Sequence, residues 1–199
     1  MVQGIEELNL YYCQLSYIPE SIDNLRYLTR LDVSGNLLTT LPESIANLPL
    51  LTYLDLQGNR FAELPAVIGQ LTSLTGLNFG DFEMTVLPDW MRNLTSLTHL
   101  GFSLINLTVL PEWIEELSSL TALIASWNRL TTLPASLANL RMLTKLNVSS
   151  NRLTSLPDSI RNLTLLTYLD IYQNPITSTN LGKNAVREQF GRRGLEIQV

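Results

Sequence analysis

The chain has 199 residues, 45% hydrophobic and 16% charged, with a net charge of -5 at pH 7. Forty-two leucines with ten glycines and nine prolines exclude disorder, collagen and low complexity, and the acidic balance excludes a broadly basic, phosphate-binding surface. One cysteine rules out an intrachain disulfide, and one histidine beside it leaves too few ligands for a typical zinc site. The N-terminal Met-Val-Gln-Gly-Ile-Glu-Glu lacks the basic flank and apolar run of a secretory signal. No stretch approaches the ~18 uninterrupted apolar residues of a membrane helix. A cytoplasmic chain with no membrane insertion is expected. Sequons at Asn93, Asn106, Asn147 and Asn162 read as by-products of a repeated Asn-Leu-Thr phrase.

From the N-terminus onward the chain repeats. Leu41-Pro42, Leu64-Pro65, Leu87-Pro88, Leu110-Pro111, Leu133-Pro134 and Leu156-Pro157 lie 23 residues apart, and Ile18-Pro19 extends the series. Eight units open at Ile5, Leu28, Leu51, Leu74, Leu97, Leu120, Leu143 and Leu166, covering residues 5–188 without insertion or deletion. Each follows L-x-x-L-x-L-x-x-N-x-L-x-x-L-P-x-x-I-x-x-L-x-x, as Leu51, Leu54, Leu56, Asn59, Phe61, Leu64, Pro65, Ile68 and Leu71 show in the third. The x-x-L-x-L-x-x stretch alternates at period two, as a short strand must, and such a strand buries its apolar face only by stacking on neighbours. Proline after the leucine falls outside the sheet, where its missing N–H costs no ladder bond.

This pattern resembles the leucine-rich repeat family over nearly the whole chain. The 23-residue unit with Leu-Pro is similar to the intracellular class, which includes Ras-suppressor and Scribble-like repeats, plant Ras-group relatives and many bacterial proteins. The resemblance implies an α/β solenoid: a horseshoe with a concave parallel sheet, an irregular or 3-10 convex side and a C-terminal helical cap. Residues 1–179 would form the solenoid and 180–199 the cap. In the family the ninth position carries a ladder of buried asparagines, here Asn36, Asn59, Asn128, Asn151 and Asn174, with Cys13 as the usual substitute. Phe82 and Ile105 interrupt it, so local irregularity is expected there.

The interrupted units also carry Trp90 and Trp113, 23 residues apart. They are expected to cover apolar surface on the return side rather than to form an exposed pair. After Ile176 the pattern decays. Residues 180–191 predict a helix with Asn180 as N-cap and Val186 and Phe190 on one face, and Leu195, Ile197 and Val199 predict an edge strand. Arg192 and Arg193 read as a solvated face of this cap. Only four residues precede Ile5, which leaves the first strand uncapped, so a fragment of a larger protein and a contact at that edge are expected.

The outward strand positions form columns across the concave face. The third holds Glu7, Arg30, Tyr53, Gly76, His99, Ala122, Lys145 and Tyr168; the seventh runs from Tyr11 to Tyr172 through small and short polar residues, predicting a shallow trough. Leu104, Ile124 and Trp127 put apolar surface on this face beside Lys145, Arg129 and Arg152, a composition favoured at binding hot spots. Tyr53, His99, Tyr168 and Tyr172 complete the candidate partner-binding residues. Catalysis finds no support: His99 has no orienting acid, a Ser103–His99 dyad lacks its elbow, and Asp32 with Asp55 are too few for calcium. No cofactor and no nucleic acid are expected. The expected function is a module binding a protein partner. The alternatives are substrate recognition for an enzyme whose catalytic domain lies outside this chain, such as a bacterial effector injected into a host, and a scaffold without a ligand.

Overall fold

Leucines at the fourth position of each unit point inward between two outward residues, and the strand forms around them. The computed structural model describes residues 4–191 and 194–199. Its strands are β1 (Glu7–Asn9), β2 (Arg30–Asp32), β3 (Tyr53–Asp55), β4 (Gly76–Gly80), β5 (His99–Ser103), β6 (Ala122–Ile124), β7 (Lys145–Asn147), β8 (Tyr168–Asp170) and β9 (Glu196–Gln198). All pair in parallel and in chain order, forming one open sheet. From β1 to β8 the register advances by one repeat per strand, for example Leu31 with Leu54 and Leu54 with Leu77. The leucines from Leu31 to Leu169 along this row are fully buried, each worth about 1.5–3 kcal/mol relative to exposure.

The return side is built from five-residue 3-10 turns after Pro19, Pro42, Pro65, Pro88, Pro111, Pro134 and Pro157. Proline supplies a fixed φ, for example -68° at Pro42, and its carbonyl accepts the amide of the residue three later, as Ile45 N–H to Pro42 O at 3.1 Å. That residue then faces the core: Ile45, Ile68 and Ile114 are fully buried.

Two polar ladders tie the repeats together. Asn36 represents the first: its Nδ2 donates to Leu10 O below and Val33 O in its own repeat, both at 2.8 Å, while its Oδ1 accepts Cys13 N–H at 3.0 Å and Leu15 N–H at 2.9 Å. Asn59, Asn128, Asn151 and Asn174 repeat the arrangement, each buried. The second ladder is built from threonine hydroxyls at the start of strands β2 to β8. Thr29, Thr52, Thr75, Thr98, Thr121, Thr144 and Thr167 each donate the hydroxyl to a carbonyl of the repeat below, at distances such as 3.1 Å for Thr52 to Thr29 O.

Cys13 stands at the ladder position, yet its side chain is exposed and its thiol reaches only Tyr11 O at 3.5 Å. The amide of Cys13, not its sulfur, joins the ladder. At Phe82 the irregularity is specific: β4 and β5 lengthen to include Phe79–Phe102 and Gly80–Ser103 pairs. Phe79 stacks on Phe102 at 5.8 Å and Phe82 meets Phe61 edge-on at 5.9 Å, so rings fill what a carboxamide occupies elsewhere. The polypeptide responds at Met84, whose N–H donates to Ile105 O at 2.8 Å, where the equivalent Leu38, Leu130 and Leu153 amides donate to the asparagine Oδ1 of the next repeat. Gly80 is required here, since a Cβ would lie 2.0 Å from Ser103 O.

Trp113 is buried, and its indole N–H donates to Asp89 Oδ1 at 3.2 Å. Trp90 is half-buried against the core and over Gly69. Both tryptophans thus cover the return side. At the C-terminal end, helix α1 spans Asn180–Phe190, with Val186 and Phe190 buried. Its N-cap is Thr179, not Asn180: the Thr179 hydroxyl accepts Gly182 N–H at 3.0 Å, and Asn180 is already helical. The residue that replaces the repeat leucine has a cap as its task. The helix docks through Arg161, which donates to Gln189 O at 3.0 Å and lies over the Phe190 ring. Leu195, Ile197 and Val199 pack on the core, and β9 continues the sheet beside β8. Arg192 and Arg193 lie outside the described residues.

Asn59→Ala should lower the urea midpoint by an amount equal to about 1–3 kcal/mol, because it orphans buried amide and carbonyl groups of two repeats at once. Deleting residues 180–199 should accelerate hydrogen exchange in residues 143–176, since β8 and the last core leucines lose their cover. Unchanged exchange would show that the last repeats hold without α1 and β9.

Candidate functional site

Pairing in register places the predicted columns on one face of the sheet. The third-position row, Arg30–Tyr53–Gly76–His99–Ala122–Lys145–Tyr168, is continuous through the ladder partners. With Glu7 beside Arg30, the sheet aligns residues of eight repeats that are 23 apart in sequence.

The candidate partner-binding residues separate into two bands. Tyr53, His99, Lys145 and Tyr168 lie in the third column. Leu104 and Trp127 lie in the eighth, Tyr172 in the seventh, and Arg129 and Arg152 just beyond. Five residues of extended chain put roughly 16 Å between the bands. Ile124 sits midway and half-buried.

Much of the third-column band is spent on internal contacts. The Arg30 guanidinium lies 3.5 Å from the centre of the Tyr53 ring. The Tyr53 hydroxyl donates to Asp55 Oδ2 at 3.2 Å and accepts Asn78 Nδ2–H at 2.7 Å. Burial, and then the Asp55 charge, push the Tyr53 phenol above its usual range, with Arg30 opposing. Tyr168 repeats the motif: its hydroxyl donates to Asp170 at 3.3 Å, Lys145 stands 5.2 Å over its ring, and burial followed by Asp170 raises its pKa. These cation–tyrosine–aspartate stacks make the first band a stiff rail. His99 is exposed, with Nδ1 2.8 Å from Thr98 Oγ1. Ser103 pairs instead with Ser126 Oγ at 3.1 Å, and four residues of strand hold it roughly 13 Å from His99, so no dyad forms. Among the described residues no group of three or more His, Cys, Asp or Glu could hold a metal.

The second band is different in kind. Leu104 and Trp127 are 51% and 58% exposed, and adjacent, for Leu104 N–H donates to Trp127 O at 3.0 Å. Both have left-handed backbones, φ 59° and 55°. So does every eighth position: Tyr12, Gly35, Gly58, Asp81, Ser150 and Gln173 fall between 54° and 66°. The turn after each strand demands this geometry, and only two repeats supply glycine. A large side chain there costs roughly 1–2 kcal/mol. Gly35 and Gly58 were the only trace of this constraint in the sequence.

The trough expected from the seventh column exists. It encloses about 420 Å³ over repeats one to five, runs from Tyr11 and Tyr12 to Leu104, and is floored by Gly35, Gly58 and Gly80. It meets the apolar pair at Leu104, so trough and patch form one continuous track along the sheet edge.

Comparison with known proteins agrees with this geometry. A family model described as a leucine-rich repeat region matches residues 8–106, and one described as leucine rich repeat matches 118–176. No curated protein matches the sequence. A leucine-rich repeat protein of Leptospira interrogans is 31% identical over 98% of this chain and 54% of its own, with a TM-score of 0.81. InlJ of Listeria monocytogenes, whose functional domain includes a cysteine ladder, is 30% identical over 89% of this chain and 36% of its own, with a TM-score of 0.68. The Arabidopsis receptor kinase HAESA, solved with the peptide hormone IDA and the co-receptor SERK1, is 31% identical over 79% of this chain and 28% of its own, with a TM-score of 0.67. The chain thus spans about half the length of the Leptospira protein and less of the others.

Trp127→Gly tests the strain directly. Relief of the left-handed backbone offsets the lost ring contacts, so the variant should unfold within about 1 kcal/mol of the parent in urea. A loss of 3 kcal/mol or more, on the scale of a core truncation, would make Trp127 a structural residue.

Proposed function

Since the chain belongs to the leucine-rich repeat family, and is a protein-interaction repeat module of it, we propose that it binds a protein partner through the concave sheet face, centred on repeats five to seven. The observation that carries this is the exposed Leu104–Trp127 pair, held at positive φ where glycine would be the relaxed choice. Arg129 and Arg152 flank the pair, both exposed. An apolar anchor within a charged rim is the composition of a binding hot spot. A scaffold without a ligand would gain nothing from that strain. The fold is one of interaction rather than catalysis, and no cofactor enters the reading. HAESA bound to IDA and SERK1 supports a peptide or protein ligand for this chain too.

The reading extends to the 23-residue intracellular class, hence to a cytoplasmic setting or, for a bacterial effector, an injected one. It includes a second contact at β1, where Ile5 is 51% exposed and Leu8 and Leu10 are only partly buried. Recognition on behalf of an enzyme uses the same face; the catalytic domain would lie elsewhere in a longer chain.

With a partner recovered by pull-down, Trp127→Ala should weaken binding about 30-fold or more, the effect of losing an anchor worth about 2–4 kcal/mol, with little change in Tm. Trp90→Ala should spare binding and cost stability, because Trp90 packs on the core and over Gly69. Affinities and melting curves for both variants check this. An essential Trp90 beside a silent Trp127 would move the site to the return side.

A further inference from the structure

The half of the track far from Trp127 has its own chemistry. Tyr12 is 72% exposed at φ 56°, and its ring leans over Gly35, whose added Cβ would lie 2.6 Å from Tyr12 Cδ2. Tyr11 stands beside it, ring centroids 5.4 Å apart. Three strands from Tyr12, Asp81 is exposed at φ 64°, and among the described residues its carboxylate has no hydrogen-bond or ion-pair partner. Between them lies Gly58, above which a Cβ would touch only the Gly35 backbone, at 3.5 Å. Tyr12, Gly35, Gly58 and Asp81 line two adjoining hollows. Strands about 4.8 Å apart leave a slot roughly 10 Å wide over Gly58, the width of one planar cation with an aromatic face on one side and a carboxylate on the other.

Charge selects the occupant. The outward positions of repeats one to five carry Glu7, Asp32, Asp55, Asp81 and Glu83 against Arg60 and Arg30, the latter already stacked on Tyr53. An anion is repelled. A sugar finds few free groups, because the Ser34 hydroxyl donates to Asp32 and Ser103 pairs with Ser126.

We propose that this slot receives a lysine or arginine side chain carried on an extended segment of the protein partner, seated over Gly58 between the Tyr12 ring and the Asp81 carboxylate. The cation gains the ring face and the unpaired charge together. This deepens the proposed function and rests on the sheet face being the protein-binding one. Gly58 and Trp127 stand three strands apart, roughly 14 Å, so a segment of about four extended residues reaches from the cation slot to the apolar anchor.

The test titrates two acetylated, amidated pentapeptides, Ala-Ala-Arg-Ala-Ala and Ala-Ala-Glu-Ala-Ala, into the ¹⁵N-labelled full chain. The arginine peptide should shift the amides of Gly35, Gly58 and Asp81, and the glutamate peptide should not. Asp81→Asn, a residue that tolerates the left-handed backbone, should weaken the arginine response about 5-fold or more, and Tyr12→Gly likewise. Trp127→Ala should leave it unchanged. Equal responses to both peptides, shifts centred elsewhere, or an unaffected Asp81→Asn would overturn the slot. If the slot fails while partner binding still depends on Trp127, the sheet-face reading stands alone. If arginine selectivity holds and Trp127→Ala binds partner normally, the slot stands and the proposed centre falls.

Discussion

The carboxamide at the ninth position of a repeat is the contact on which the rest depends. One side chain donates to carbonyls of two successive repeats and accepts amides from the lower one, so it binds two turns at a fixed separation. Water cannot reach these groups, and without the side chain their desolvation would go uncompensated. Because each asparagine requires the next turn at the same place, it makes the 23-residue period a mechanical constraint. Threonine hydroxyls impose the same spacing at the opposite end of each strand. Between the two ladders the leucines need only be apolar and of the right size.

That constraint has a cost on the outward face of the sheet. The tight turn after each strand holds its eighth residue in the left-handed region in every repeat, with asparagine following or not. The eighth column is therefore both strained and exposed, a position where folding favours glycine and any other residue needs another reason. Tyr12, Asp81, Leu104 and Trp127 are such residues, and they lie along one edge. A residue other than glycine at these positions costs stability, and the chain tolerates that cost because the leucine core and the ladders are repeated many times over.

The fourth and fifth repeats show how far the constraint bends. Without asparagine at Phe82, longer strands and stacked phenylalanines replace the polar bridge, and Gly80 lets the backbones approach. Asn128 still serves the turn at Ile105, accepting the Ile105 and Leu107 amides at 3.3 and 3.1 Å. These are the bonds that Asn36 gives Cys13 and Leu15; what Ile105 cannot give the repeat below with a carboxamide, its backbone carbonyl partly supplies by accepting Met84 N–H at 2.8 Å.

The sequence by itself determined the period, the inward leucines, the membership of each column and the asparagine ladder, because all follow from spacing that a parallel sheet copies directly into space. The threonine ladder was equally present in the spacing and went unread, since a threonine beside a strand is unremarkable until its hydroxyl is seen to reach the carbonyl below. Only the tertiary structure decided which column residues are spent on contacts within the sheet. It showed that Tyr53 and Tyr168 are held by their own neighbours, that Cys13 contributes its amide and not its thiol, and that Thr179 rather than Asn180 caps the helix. It alone revealed the left-handed backbone beneath Trp127 and the slot over Gly58. Those depend on dihedral angles and on which side chains lean across a neighbouring repeat, and a one-dimensional pattern of residue types carries neither.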